Sequence, residues 1–215
     1  MAIRMSPTQR REAIVDATLQ VMLRRGMAAT TVRDVADEMG SSSGLVHHYF
    51  ASMDELLAAA FEQAATLDLD ATATSMRGGG SPVEQMRCFF ATYIRAEQDW
   101  AFQLWLDAWA EASRRPAVRA TSQRLNVAWQ RLLAEVIEEG LRTGDFVCED
   151  PAGAAWRILS LLDGLALQTV AHRVDLDRGA VLRWSIAHAE SELGLEKGSL
   201  GGTGKVSPST SVDDG

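Results

Sequence analysis

The chain has 215 residues, of which 47% are hydrophobic, and its formal net charge is −8. This length accommodates a small domain followed by a larger one with a sizeable apolar core. No apolar run reaches the roughly 18 residues of a transmembrane helix, and the first residues lack the apolar segment of a secretion signal, so no membrane partner is expected.

The predicted elements are all helices, and the first runs from Ser6-Pro7 to Gly26, with proline at its first position. Residues 31–56, TVRDVADEMGSSSGLVHHYFASMDEL, predict two short helices over residues 32–39 and 43–50. Their apolar positions recur at helical spacing, and a short turn containing glycine separates them. Two such helices form a helix-turn-helix, whose second helix can enter the DNA major groove.

The residues between these helices have the chemistry of a turn. Gly40 suits the left-handed position that ends a helix, and Ser41, Ser42 or Ser43 is expected to accept a backbone N–H at the next helix start. The pair Ser52 and Glu55, three residues apart, is a capping-box signature for the start of a fourth helix.

Residues 8–57 resemble the TetR family of transcriptional regulators, on the segments RREAIVDATLQVMLRRG, TTVRDVADEMG and GLVHHYFASMDELL. The resemblance implies that the first helix packs on the helix-turn-helix and that the fourth connects it to a ligand-binding domain. It implies base-edge or nearby backbone contacts at five positions: Arg33, Ser43, Gly44, Leu45 and His47. It implies phosphate contacts at four others: Thr31, Ser42, His48 and Tyr49.

The distribution of charge fits a localised contact with DNA better than the net charge suggests. Residues 1–33 carry six arginines and two acids, whereas residues 34–60 carry five acids and no base. The basic residues therefore gather in the N-terminal arm, the first helix and the helix-turn-helix. A footprint on a few phosphates of double-stranded DNA is expected rather than non-specific wrapping.

The remaining pattern predicts a larger helical region, so the fold class is all-α with an N-terminal three-helix bundle. Gly78 to Gly80 is a flexible break, and helices are expected from Ser81-Pro82, from Pro116, over residues 151–171 and over residues 178–193. The expected organisation is a DNA-binding domain at residues 1–53, an effector-binding and dimerisation domain at 54–195, and a disordered tail at 196–215.

The helix at residues 152–171 is apolar on most sides, which indicates burial on most sides. Leu162 and Leu165 lie on its main apolar face, and one of its sides is expected to meet a second copy of the chain. A central helix in a monomer is the alternative. The resemblance implies a homodimer formed by the last two helices. A DNA-binding surface with two-fold symmetry also requires two copies of the chain.

All six tryptophans lie beyond the helix-turn-helix, and FQLWLDAWAEASRRP resembles the BetI-type branch of the family. Members of that branch respond to small organic effectors, and the member that gives the branch its name senses choline. The predicted pocket walls are Phe89, Phe102, Trp105, Trp109 and Trp129. Aromatic faces hold cations, so an apolar or cationic effector is favoured over an anionic one. Plain core packing is the alternative for each ring.

Other chemistry is absent from the sequence. It contains no glycine-rich phosphate loop, no Gly-x-Ser-x-Gly segment and no Glu-x-x-His pair, so no catalytic residue, metal or cofactor is predicted. Cys88 and Cys148 lack metal spacing and indicate reduced thiols in a cytoplasmic protein. The favoured function is a ligand-responsive repressor released from a palindromic operator, and the alternative is a helical enzyme or small-molecule carrier.

Overall fold

The computed structural model describes residues 5–93, 99–171 and 176–201, and these ranges contain helices and no strand. The nine described helices are α1 (Pro7–Arg25), α2 (Val32–Glu38), α3 (Ser43–Tyr49), α4 (Met53–Arg77), α5 (Pro82–Tyr93), α6 (Asp99–Ala112), α7 (Pro116–Thr143), α8 (Pro151–Ala171) and α9 (Arg178–Glu192). The predicted all-α fold is therefore confirmed. Each described helix is too short or too polar to cross a membrane.

The first three helices and the start of α4 surround an apolar core that residues of α6 and α7 complete, and we call the bundle of these first helices the reader. Ile14 of α1, Val35 of α2, Val46 of α3 and Leu57 of α4 are almost completely buried in that core. The apolar spacing read from the sequence therefore faces inward on all four helices, which leaves the polar sides of α2 and α3 on the outside.

Side-chain caps begin the helices of the reader. The Ser6 hydroxyl accepts the Gln9 N–H, and the Gln9 side chain accepts the Ser6 N–H in return. At the start of α4, the Ser52 hydroxyl accepts the Glu55 N–H at 3.1 Å. The Glu55 carboxylate accepts the N–H of Ala51, one residue before the predicted partner. Each bond satisfies a backbone donor that the helix itself leaves unpaired.

The turn between α2 and α3 agrees with the prediction in its glycine and differs in its serines. Gly40 has a φ of +58°, the left-handed conformation expected at this position. Ser42 is the N-terminal cap residue of α3, but its hydroxyl makes no capping hydrogen bond. The prediction of a serine cap is therefore wrong, because the Ser42 backbone carbonyl alone accepts from Leu45 in the first turn.

Helices α5 to α9 form a second bundle with its own core. The longest, α7, has 28 residues and runs from Pro116 to a left-handed Gly144. Phe90, Leu133 and Ile158 are among the fully buried side chains of this second core. Because α7 packs against α4, α5, α6 and α8, it is the central helix of this bundle.

Helix α4 joins the two bundles, since Phe61 lies in the reader core and Met76 in the second core. The glycine run after α4, predicted as a flexible break, is a closely packed turn. A side-chain carbon at Gly79 would lie 2.8 Å from the Gln85 nitrogen, and the Gly80 N–H donates to the Glu84 carboxylate.

Residues 196–201 fold back onto the second bundle, so the prediction of a disordered tail from residue 196 is wrong for this segment. The buried Glu190 carboxylate accepts the N–H groups of Gly198 and Leu200 at 3.0 and 2.8 Å. Arg87 donates to the Ser199 carbonyl, and Leu200 is 3% exposed. A buried carboxylate requires donors, which composition does not reveal. Residues 202–215 lie outside the described residues.

Candidate DNA-binding and effector sites

The outer face of α3 carries the residues predicted to read DNA. Gly44, His47 and His48 are exposed, whereas Val46 and Phe50 are buried in the reader core. The position of a side-chain carbon at Gly44 is open apart from the nearby Ser42 hydroxyl. This face therefore permits the close approach of a DNA groove.

The other predicted contact residues of this region lie on or beside the same outer surface. Ser42 is exposed, while Ser43, Leu45 and Tyr49 are partly buried. The rings of His48 and Tyr49 meet edge to face, with their centroids 5.1 Å apart. Tyr49 also packs against the reader core, which fixes the position of its ring.

Thr31 has a structural role that its three-residue spacing to Asp34 indicates, as for Ser52 and Glu55. It caps α2: its hydroxyl accepts the Asp34 N–H at 3.2 Å and donates to the Asp34 carboxylate at 2.6 Å. The hydrogen bond from Thr31, assisted by the nearby Arg25 guanidinium, holds the pKa of Asp34 below its ordinary value. The Thr31 hydroxyl is therefore engaged in this cap and can contact a phosphate only if the cap is broken. Otherwise a phosphate at this position contacts the exposed backbone groups.

Several arginines of the predicted basic region are already paired with acids. Arg24 forms an ion pair with Glu38, and Arg25 with Asp34. The Arg33 side chain is 88% exposed, and its Nε lies 3.9 Å from the Oδ2 of Asp37. Exposed pairs of this kind are weak, so Arg33 remains available to DNA, while Arg24 and Arg25 mainly brace α1 against α2.

The second bundle contains a partly open pocket of about 60 Å³ between α4, α5, α6, α7 and α8. We call it the main cavity. Its aromatic walls are Phe102, Trp105, Trp109, Trp129 and Trp156. Its polar walls are Asp68, Thr72, Thr92, Asn126, Ser160 and Asp163. The described lining therefore holds two carboxyl groups and no basic side chain.

Two groups of this lining are chemically unusual. Burial raises the pKa of Asp163 from 3.8 to about 7, because a carboxylate loses hydration in an apolar surrounding. The Trp129 side chain is 8% exposed, and its Nε1–H has no hydrogen-bond partner in the described part of the chain. A bound cation would compensate the buried charge of the Asp163 carboxylate, and an acceptor atom would pair with the Trp129 Nε1–H.

The main cavity is connected to the reader through α6. Trp105 and Trp109 have ring centroids 5.7 Å apart, and Trp105 also meets Phe61 of the reader core edge to face at 4.9 Å. Two residues further along α6, the Asp107 carboxylate accepts the Met27 N–H at 2.9 Å, just after the end of α1. The helix that walls the cavity is thus bonded to the first helix of the reader.

Helix α7 has a matching connection to the reader. The Asp54 carboxylate, in the first turn of α4, accepts the N–H groups of Ala117 and Val118 at 3.0 and 3.4 Å. Arg115, the N-terminal cap residue of α7, supplies no side-chain cap of its own. The reader therefore caps α7, a helix of the second bundle, which we call the effector region.

Comparison with known families agrees with this two-part arrangement. A model of bacterial regulatory proteins of the tetR family matches residues 14–60, and a model of the C-terminal part of BetI-type transcriptional repressors matches residues 82–194. The chain belongs to the TetR family, in its BetI-type branch. It is thus a transcriptional regulator, and the alternative of an enzyme is excluded. Regulators of this family bind DNA operators and small-molecule effectors and function as dimers.

Relatives of the TetR-family chain include two proteins named HTH-type transcriptional regulator BetI. The one from Rhizobium meliloti (strain 1021) is 33% identical over 165 residues, which cover 74% of this chain and 77% of that protein. The one from Paraburkholderia xenovorans (strain LB400) is 32% identical over 181 residues, which cover 81% and 88%.

A solved structure with a similar fold is that of a putative transcriptional regulator from Saccharomonospora viridis in complex with choline. It is 21% identical, with a TM-score of 0.77, over 86% of this chain and 98% of that one. Another, from Pseudomonas aeruginosa PAO1, is 24% identical with a TM-score of 0.71, over 87% and 92%.

Four of the five predicted pocket residues of this TetR-family regulator lie around the main cavity: Phe102, Trp105, Trp109 and Trp129. The fifth, Phe89, is fully buried in the second core beside Phe90 and does not line the cavity, so its assignment as a pocket wall is wrong. Phe89 and Phe102 have similar sequence surroundings. Only the packing of α5 and α6 separates a core position from a cavity position.

The sequence reading missed the carboxyl groups and Trp156 of the main cavity. Asp163 is the one charged residue in the segment LSLLDGLALQ of α8, and a charge inside such an apolar stretch was the available signal. Asp68 follows no comparable pattern on α4. Trp156 lines the cavity although it is 41% exposed.

Exposed apolar groups occur on α8 and α9, as expected for a subunit interface. Gly164 is exposed and Leu161 and Leu165 are half-buried, at a spacing that places them on one stripe of α8. Trp184 of α9 is 52% exposed. Leu162, in contrast, is 1% exposed and belongs to the second core, so it does not lie on a free surface of the protomer.

Proposed function

We propose that this regulator is a dimeric repressor that leaves a palindromic operator when a small organic cation binds in the main cavity. The observation that carries the effector part is the lining of the cavity, where aromatic walls and two carboxyl groups occur without a described basic side chain. The exposed outer face of α3 carries the DNA part.

On DNA, the polar side of α2 and α3 would enter the major groove. Arg33, Ser43, Gly44, Leu45 and His47 would lie near base edges or the adjoining backbone, with the Leu45 side chain against a thymine methyl. Thr31, Ser42, His48 and Tyr49 would lie along the phosphates. The exposure of Gly44, His47 and His48 supports this orientation.

Selection of binding sites from a random duplex library tests the DNA part. Because the symmetry of a dimer is mirrored in its operator, the enriched sites should contain two inverted half-sites about one helical turn apart, or a multiple of it. Enrichment of single half-sites, or of no sequence at all, would contradict the proposal.

The dimer would form through the exposed stripe of α8 and through α9. A charge in a buried seam costs several kcal/mol when it has no partner, so Leu165→Asp and Trp184→Asp should produce folded monomers in sedimentation experiments. Ala152→Asp, at an exposed position in the first turn of α8, is the matched control. Dimers that persist in both variants would move the interface elsewhere.

The effector would be held by its charge and by its shape. Aromatic faces attract a quaternary ammonium ion with about 2 kcal/mol when water is excluded, and Asp68 and Asp163 add negative charge. The unpaired Trp129 Nε1–H supports an oxygen acceptor on the same ligand. The choline complex of the similar Saccharomonospora viridis structure supports the same class of ligand.

Calorimetric titration with three compounds separates these contributions. Choline should bind about 30-fold more tightly than 3,3-dimethylbutan-1-ol, its uncharged isostere, because the two differ only in charge. Tetramethylammonium lacks the hydroxyl and should bind between the two. The bound cation should release operator DNA in a gel-shift titration. Equal affinity for choline and the isostere would exclude a cation site.

A further inference from the structure

A second, smaller cavity adjoins the main one and takes no part in the function proposed so far. It is a partly open pocket of about 30 Å³ between α6, α8 and α9. Its walls are mostly apolar and include Leu162, Ala166, Val170, Val181 and Leu182. We call it the side cavity.

The two cavities share one wall residue, Phe102 of α6. They also flank the same helix: Asp163 and Leu167 of α8 line the main cavity, while Leu162 and Ala166, each one residue earlier, line the side cavity. A chain of atoms that leaves the main cavity past the Phe102 ring would therefore enter the side cavity at once.

The chemistry of the two cavities differs. The main cavity has carboxyl groups and indole faces suited to a cation, whereas only Thr169 and Arg178 interrupt the apolar lining of the side cavity. An empty apolar cavity destabilises a core in proportion to its volume, and an apolar ligand removes that cost. The side cavity thus fits hydrocarbon and no other class of group as well.

We propose that the effector is a cationic amphiphile, whose quaternary ammonium head lies in the main cavity and whose unbranched hydrocarbon chain passes Phe102 into the side cavity. This inference rests on the cation site proposed above. It adds a second subsite, which sets the preferred length of the ligand.

The test is a calorimetric series of trimethylammonium ions with N-alkyl chains from methyl to octyl, each below its micelle concentration, on the full chain. A methylene that leaves water for an apolar cavity adds about three- to fourfold in affinity. We expect this gain for each added carbon until the side cavity is filled, and a plateau beyond that length.

Two variants that fill the side cavity make the series specific. Val170→Phe changes a half-buried wall residue, and Ala166→Phe changes a buried one. Both should flatten the dependence on chain length while leaving tetramethylammonium affinity unchanged. Ala152→Phe, at an exposed position of the same helix, should retain the wild-type dependence. If thermal melting shows that Ala166→Phe is unfolded, Val170→Phe alone decides the question.

Each outcome has a distinct meaning. A wild-type affinity that is independent of chain length overturns the second subsite and leaves the cation site standing. A chain-length dependence that survives in the filled variants overturns it too, since the chain would then lie elsewhere. Failure of every cation to bind would refute the cation site and the subsite together.

Discussion

The reader and the effector region of this regulator are each stabilised by a different kind of interaction. In the reader, local hydrogen bonds fix helix starts, such as the reciprocal caps of Ser6 with Gln9 and of Thr31 with Asp34. In the effector region, helices pack through aromatic and aliphatic side chains around a cavity that they leave open.

This difference shows where specificity resides in each part. Local caps and a left-handed Gly40 determine the angle between α2 and α3 within a few residues, so the outer face of α3 can change without altering the fold. In the effector region a wall residue also packs elsewhere, as Trp105 does on Phe61. A change of ligand there affects the packing of neighbouring helices.

The largest expected effect separates the two tryptophans of α6. Trp109→Ala should weaken binding of a quaternary ammonium ion about 30-fold and leave DNA affinity unchanged, because Trp109 lines the main cavity and does not pack against the reader core. Trp105→Ala should also lower the free energy of unfolding by about 3 kcal/mol, because the ring packs on the reader core. Calorimetry and thermal melting measure the two effects. Equal melting temperatures for both variants would refute the distinction.

The next effect is a dependence of effector affinity on pH. The pKa of Asp163 is about 7, so its carboxyl group is charged above that pH and neutral below it. Cation affinity should therefore fall by up to about tenfold for each pH unit below about 7. Asp68 lines the same cavity, and Arg119 lines an outer groove that Asp163 also lines.

Asp163→Asn tests this assignment, since the amide is neutral throughout. Calorimetry between about pH 6 and pH 8 should show a flat profile for the variant. Whereas effector affinity rises with pH, the stability of the effector-free protein falls. The stability that comes from the raised pKa of Asp163 is fully present below pH 3.8 and is lost as the pH rises through about 7. A pH profile shared by wild type and variant would assign the dependence to another group.

A smaller effect is expected at the DNA surface, where the two regions can be compared directly. Tyr49→Phe would remove the phosphate hydrogen bond proposed for Tyr49 and should weaken binding to all sequences about fivefold. His47→Ala should change the preference at one position of each half-site. Gel-shift titrations at fixed salt on wild-type and singly altered operators measure both. Effector affinity is the control and should not change, since both residues lie in the reader.

The smallest effect concerns the bond between the regions. Asp107→Ala removes the acceptor of the Met27 N–H and should reduce the mutual weakening of effector and operator about threefold, within the usual range for coupling residues. Affinity for each ligand alone should change less. Gln103→Ala is the control, because Gln103 contacts Asp107 but not the reader. Equal coupling in wild type and Asp107→Ala would exclude this bond as a route.

The reader could be predicted from the sequence almost in full, since its turn at Gly40 and its caps are local in the chain. Its errors were also local: the α3 start lacks the expected serine cap, and Thr31 is engaged by Asp34. The residues expected near DNA follow from the resemblance to the family motif, and the contacts themselves stay a prediction.

The effector region could be predicted as helices but not as a site. Sequence periodicity cannot separate Phe89, which is buried in the core, from Phe102, which lines two cavities. The folded segment at residues 196–201 was missed for a similar reason. Its order depends on the distant Glu190 carboxylate and on Arg87, and neither is visible in a composition rich in glycine and serine.

The distribution of tryptophan gives the protein a built-in optical reporter. All six indoles lie between residues 100 and 184, and the reader has none. Tryptophan emission therefore comes from the effector region alone, and operator DNA can alter it only through the contacts between the regions. Trp105 is the indole in direct contact with the reader core. A shift of emission on adding unlabelled operator would thus measure communication between the two sites without any effector present.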